Sequence, residues 1–209
     1  MDASILVQTG IKLYKPQGDL EHTANFFLIL SSINHGSVKG HVERVALLSD
    51  RVAIRLEKDS KAAFFAGVLH DIGKLVLPYE LFDGHDISGE EYAEIKTHAL
   101  NGLLALQGHH LFTALCAGLH HAMYDAGYGL TIEDFPKDWG LATIKKLLDI
   151  AMIVSICDFV DAFTHRKTKI KDGSDKDSPD LKEMLYKKYP NEHQVIDIAL
   201  DVNTNRDFD

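Results

Sequence analysis

His70 and Asp71 stand side by side in Leu69-His70-Asp71-Ile72-Gly73-Lys74, at the end of an apolar run. An imidazole nitrogen and a carboxylate then leave the backbone at one point. Such a pair can bind one metal ion and keep a carboxylate oxygen free to reach a second. The dipeptide alone is common. Its weight comes from further candidates, His41, His98, His120, His121 and Asp158, spaced by about one helical hairpin each. Imidazoles and carboxylates converging from separate helices are how metal sites are built in helical bundles. Lys74, one turn after His70, reads either as a contact for an anionic oxygen at the site or as a surface lysine favoured by the helix C-terminus.

The elements that must carry these residues read as helices. Val45, Leu48, Val52 and Leu56 follow a three-to-four spacing, with His41 one turn earlier on the same stripe. Ser60 can cap a short helix through Ala62–Leu69 that delivers His70 and Asp71 at its end. Ser88 with Glu91 forms a capping box that opens a helix to about Leu106, carrying His98. A helix from Leu111 to about Tyr124 carries His120 and His121, and one from Ala142 to Phe163 carries Asp158. Ser178-Pro179 reads as an N-cap with proline at the first helical position of a polar C-terminal helix. Lys167–Asp177 is charged, contains glycine and reads as a loop. With no alternating pattern, the fold class is all-α.

Small residues precede the candidates by one turn: Ala66 and Gly67 before His70, and Cys116, Ala117 and Gly118 before His120 and His121. They allow the close helix approach that a compact ligand cluster requires. Asp158 follows the apolar run Ile150–Cys157, where an ionised carboxylate is costly unless paired or bound to metal. Asp161 reads either as a partner of the site or as a solvated charge. His22, His35, His85, His109, His110, His165 and His193 lack this setting and are read as ordinary histidines.

A chain of 209 residues with 45% apolar and 25% charged residues describes one globular domain, with a small extension at most. The net charge of −9 offers no global attraction to nucleic acid or anionic lipid. No apolar run reaches membrane-spanning length, and Met1-Asp2-Ala3-Ser4 lacks the basic start of a signal peptide. Cys116 and Cys157 form no CxxC, which argues against disulfides and thiolate zinc sites. A cytoplasmic protein is the expectation, without DNA, RNA or membrane partners. The oligomeric state stays open, a homodimer being one option.

The chain resembles the HD superfamily of metal-dependent phosphohydrolases, and within it the HD-GYP subgroup, from about Gly40 to Lys169. Gly40-His41-Val42-Glu43-Arg44-Val45 resembles the helix of the first histidine, and His70-Asp71-Ile72-Gly73-Lys74 the defining motif. Lys96-Thr97-His98, His120-His121 and Asp158-Phe159-Val160-Asp161-Ala162 continue the match in order. The resemblance implies an HD-domain helical bundle over residues 40–209, with residues 1–39 as a helical extension packed on it. It also implies two divalent metal ions. His41, His70, Asp71 and Asp158 would hold one, and a bridging Asp71 with His98, His120 and His121 the other. Such nitrogen and oxygen ligands favour iron or manganese, with zinc and nickel compatible. Where some relatives place a glutamate for a third metal, this chain has Ser37.

One segment departs from the subgroup. After His120-His121 comes Ala122-Met123-Tyr124-Asp125-Ala126-Gly127-Tyr128-Gly129-Leu130. A glutamate is absent, Gly129 replaces the proline of GYP, and no basic residue follows in Leu130-Thr131-Ile132-Glu133. Glycine for proline implies a looser loop. The leading expectation is therefore a dinuclear phosphohydrolase acting on a small phosphate ester or nucleotide, a cyclic dinucleotide included. Asp71 and Lys74 would carry the catalysis. A non-catalytic HD-type signalling or nucleotide-binding module and a di-iron oxygenase are the alternatives. The basic cluster Arg166, Lys167, Lys169 and Lys171 could draw in an anion.

Overall fold

A computed structural model describes residues 2–82, 84–167 and 180–205. Helices α1 (Ala3–Tyr14) and α2 (Leu20–Asn34) lead into the central α3 (Gly36–Arg55), followed by α4 (Ser60–Leu69). Two 3-10 turns, Ile72–Val76 and Tyr79–Phe82, precede α5 (Gly89–Lys96), α6 (His98–Leu106) and α7 (Leu111–Leu119). A 3-10 turn at Ile132–Asp134, α8 (Leu141–Lys167), α9 (Leu181–Lys188) and α10 (His193–Thr204) complete the order. Among the described residues there is no strand, and no helix is long and apolar enough to cross a membrane. The fold is all-α, as the periodicity requires.

Helix α3 is the axis. Val38, Val42, Val45, Ala46, Leu48 and Val52 are buried along it. Helix α4 lies against one side, α8 and α10 against others, and α1 and α2 cover the remainder. Val7 and Ile11 of α1 and Phe27 of α2 are inside the same core, so the N-terminal residues share it. A division at residue 39 falls within α3, which starts at Gly36. Gly67 sets the α3–α4 crossing: a Cβ there would stand 2.7 Å from Ala46 Cα. This is the close approach that the small residues before His70 foretold.

Several helix ends differ from the sequence reading. The cap of α4 is Asp59 rather than Ser60; its carboxylate accepts from the Ala62 N–H at 2.9 Å. The Ser88–Glu91 capping box forms, but the helix it opens stops at Lys96. The Thr97 hydroxyl donates to the Glu94 carbonyl (2.7 Å) and its N–H bonds the same oxygen, tightening the turn before α6 starts at His98. Helix α7 ends at Leu119, not Tyr124. The chain returns so that Leu130 N–H takes the Gly118 carbonyl (3.0 Å) and Tyr128 N–H the His121 carbonyl (2.9 Å). Gly129 there has φ 119°, and a Cβ would lie 2.2 Å from Gly118 O. Proline cannot adopt that φ. The glycine answers to this close approach, and the backbone bonds anchor the loop that the sequence reading took as loosened.

Helix α8 runs to Lys167, beyond the expected Phe163. The side chains of residues 166–171 and the loop beyond Lys167 lie outside the described residues, as does the Ser178-Pro179 cap. The observed cap of α9 is Asp180, accepting from Lys182 N–H at 3.1 Å. Tyr189, just past α9, bonds the Ser155 hydroxyl at 2.9 Å inside the core and ties α9 to α8.

Candidate metal centre

Five helices deliver the seven candidate side chains to one place. His41 comes from α3, His70 and Asp71 follow α4, His98 opens α6, His120 and His121 follow α7, and Asp158 lies on α8. His70, Asp71 and His120 are inaccessible to solvent and His98 almost so. Asp71 is the centre. Its Oδ1 lies 3.3 Å from His98 Nε2 and 3.9 Å from His120 Nε2, and its Oδ2 lies 3.4 Å from His70 Nε2 and 3.7 Å from His41 Nε2. Asp158 Oδ1 closes the other side, 3.0 Å from His41 Nε2 and 3.9 Å from His70 Nε2. Its Oδ2 is 4.0 Å from His121 Nδ1.

One backbone device orients three of these rings. The Nδ1 of His70, His98 and His120 lies 2.8, 2.6 and 2.6 Å from the carbonyl three residues earlier, that of Gly67, Ile95 and Ala117. Nδ1–H donation to those carbonyls leaves each Nε2 as a bare lone pair pointing inward. His98 and His120 then face each other Nε2 to Nε2 at 3.3 Å, two acceptors with no proton to share. His70 Nε2 and Asp71 Oδ1 are buried without any hydrogen-bond partner. Bound cations would satisfy such atoms, and an apolar or purely hydrogen-bonded core does not. His98, His120 and His121 each bring a ligand atom within 4.8 Å of one another, as do His41, His70 and Asp71, and His70, His120 and Asp158.

His41 is oriented differently. Its Nδ1 donates to Asp161 Oδ2 at 2.8 Å, and Arg44 grips the same carboxylate through Nε (2.8 Å) and a terminal nitrogen (2.9 Å). Asp161 is thus a buried carboxylate behind the site. Arg44 went unnoticed in the sequence, although its place three residues after His41 puts both on one helix face. Replacing Asp161 by asparagine should weaken metal binding about 10- to 100-fold while the fold persists, measured by metal titration of the chelator-treated protein. Unchanged affinity would contradict this role.

Burial would raise the Asp71 carboxyl, but the Lys74 ammonium beside it holds it well below the ordinary range. Burial opposes ionised Asp158 too, and the hydrogen bond and charge of His41 overcome it. Burial would lower His41, yet hydrogen bonds to Asp158 and Asp161 lift it to about 9. Burial pushes His98 down to about 4 and His121 to about 3. The consequences for the metal-free protein have opposite signs. The His41 contribution is complete below 6.5 and is lost as pH rises through about 9. The His98 and His121 contributions are complete above 6.5 and are lost as pH falls toward about 4 and 3. Melting temperatures in chelator should therefore peak near 6.5; a curve that keeps rising to pH 9 would refute it.

Aromatic rings and lysines border the cluster. Tyr128 stacks on His121 at 4.6 Å, and the Tyr124 hydroxyl is 3.3 Å from His121 Nδ1. Lys74 Nζ reaches Asp71 Oδ2 at 2.5 Å and lies over the Phe82 ring. It is a lysine of the site, not of the outer surface. Four of the histidines set aside on sequence grounds make contacts of their own. His110 caps α7, His193 stacks on Tyr186, His35 meets Tyr79 and Phe82, and His165 contacts Asp161.

A family model for the HD domain matches residues 38–162, more than half of the chain. The chain belongs to the HD domain family. The HD domain of the phosphodiesterase PgpH of L. monocytogenes has a similar structure, with a TM-score of 0.55 at 18% identity, covering 86% of this chain and 97% of that one. At that identity the likeness speaks for the fold. No curated protein matched the sequence. The matched stretch contains all seven converging side chains. Membership in the HD family supports metal-dependent phosphohydrolase chemistry at the general level. Helices α1, α2, α9 and α10 lie outside the matched stretch.

Proposed function

We propose that the chain is a dinuclear metal-dependent phosphohydrolase that cleaves a phosphate ester of a nucleotide, a cyclic dinucleotide among the candidates. The observation that carries the reading is the inward convergence of unprotonated Nε2 atoms on the buried Asp71. His41, His70, Asp71 and Asp158 would hold one ion, and Asp71 with His98, His120 and His121 the other. The donor set is nitrogen and oxygen only, which suits iron or manganese and is compatible with zinc or nickel. Cys157 is buried, burial pushes its thiol up to about 12, and among the described residues no cysteine joins the converging ligand groups.

Bound cations supply positive charge that polarises a phosphoryl group and acidifies a nucleophilic water. The protein supplies the rest. Asp71, with its two oxygens turned to different imidazoles, fixes the spacing between the two halves of the site. The carbonyl-bonded imidazoles present their lone pairs without rearrangement, so no reorganisation is needed when charge develops. Lys74, held at Asp71 beside Phe82, turns its ammonium to a phosphate oxygen and offsets the negative charge that grows there. Residues 1–39 then serve as a helical extension of the 40–209 unit.

Metal analysis of protein purified without added metal, with hydrolysis assays on a generic phosphodiester, cyclic di-GMP and mononucleotides, tests the reading. Metal near two ions per chain and turnover of at least one substrate are expected. Less than about one ion, with no turnover, would sink it. Lys74→Ala should keep the metals and lower kcat/KM about 10- to 100-fold, as loss of one charge-assisted contact to phosphate. Full activity in that variant would remove Lys74 from the mechanism.

A further inference from the structure

A cavity of about 570 Å³ lies behind the stretch that carries His120 and His121. Leu119, Tyr124, Phe135, Met152 and Tyr189 contribute to a mainly apolar lining. Its size falls within the range of about 300–1,000 Å³ usual for small-molecule sites. Tyr124 belongs to both places: its ring lines the cavity while its hydroxyl lies 3.3 Å from His121.

Lys188 joins the two as well. It lines the cavity, its Nζ sits 3.5 Å from the centre of the Tyr124 ring and 4.8 Å from that of Phe159, and it feels the charge of Asp158. It has no ion-pair partner among the described residues, although the chain carries a net charge of −9. A half-buried, unpaired ammonium in an acidic protein is a ready anion contact. The exposed Asp125 and half-buried Glu192 also line the cavity. They disfavour a phosphate inside it and leave the Lys188 side, toward Asp158, as the place for negative charge. Lys188 comes from α9, outside the family-matched stretch, and the loop after Tyr128 offers no basic residue of its own.

From this juxtaposition we infer that Lys188 and the Tyr124-walled cavity form a specificity site, in which a planar aromatic group occupies the cavity and its attached phosphate lies between Lys188 and the metal centre. This rests on the phosphohydrolase reading for the fate of the phosphate, but the binding does not. Lys188 is a positioning residue for substrate. Flat rings suit a cavity bordered by Tyr124, Phe135 and Tyr189.

The test uses the full metal-loaded chain and anilinonaphthalene sulfonate, an aromatic anion whose fluorescence reports binding. Naphthyl phosphate should displace it about tenfold more tightly than inorganic phosphate does. Lys188→Gln should weaken naphthyl phosphate about tenfold with metal content and melting temperature unchanged. Ile132→Asp, at a cavity-lining position that is 81% exposed and so tolerant of change, should weaken it too. Equal affinity for both phosphates, or naphthyl phosphate binding indifferent to both substitutions, overturns the site. Intact, Lys188-dependent binding without turnover of any ester would instead count against hydrolysis and leave the site standing.

Discussion

Replacement of Asp71 by alanine is expected to remove both metal ions and to lower phosphate-ester hydrolysis by about a thousandfold or more. No other residue of the cluster touches so many partners. Its oxygens face the Nε2 atoms of His41, His70, His98 and His120 and the ammonium of Lys74, all within 3.9 Å. A peripheral histidine removed from such a site leaves three or more donors on each ion. On the proposed division of ligands, loss of Asp71 would take a donor from both ions at once and leave a purely imidazole group on one side. Elemental analysis should fall from about two ions to a small fraction of one, and helical circular dichroism should persist because the helices share an extensive apolar core. Asp71→Asn keeps the shape and loses the charge, and should behave like the alanine variant in metal content. Retention of two ions by either variant would show that Asp71 does not bridge.

Gly73→Ala should cost roughly 3 kcal/mol or more and lower the melting temperature by about 10 °C. The 3-10 turn after Asp71 is pressed onto the start of α6, and a Cβ on Gly73 would stand 2.0 Å from the His98 carbonyl oxygen and 2.6 Å from the Gly102 nitrogen. Both are backbone atoms, so no side chain can swing aside. Relief requires the turn and α6 to separate, which also moves His98 away from Asp71. Metal stoichiometry should therefore fall along with stability. Gly89→Ala is the control, since nothing lies within 4 Å of a Cβ there. Equal melting temperatures for the two variants would show that the contact is not rigid.

The helices and the residues that meet were legible because their signals are local. A three-to-four apolar stripe, a capping box and small residues one turn before a histidine each act within a turn or two of chain. What escaped the sequence depends on distant partners. The end of α7 at Leu119 is set by Leu130 and Tyr128 reaching back for carbonyls, and nothing in Leu111–Tyr124 itself stops the helix. The division at Thr97 turns on one hydroxyl choosing the Glu94 carbonyl. Gly129 looked like a loosened proline until its left-handed backbone and its contact with Gly118 gave it a reason. Arg44 and Lys188 are ordinary surface residues in one dimension. Only the fold places one on Asp161 and the other on Tyr124.

The carbonyl-locked histidines have a consequence for charge balance. Because His98, His120 and His70 hold their proton on the outer nitrogen, the cations in ion-pair contact with the carboxylates of Asp71, Asp158 and Asp161 are Lys74, His41 and Arg44. Three positive groups meet three negative ones, so the protein alone is electrically even there. Divalent ions entering the site would displace the His41 Nε2 proton and leave a local surplus of positive charge inside an acidic molecule. Attraction for an anionic substrate at the centre would then be switched on by metal loading, and the unloaded protein should ignore phosphate esters that rely on the centre alone.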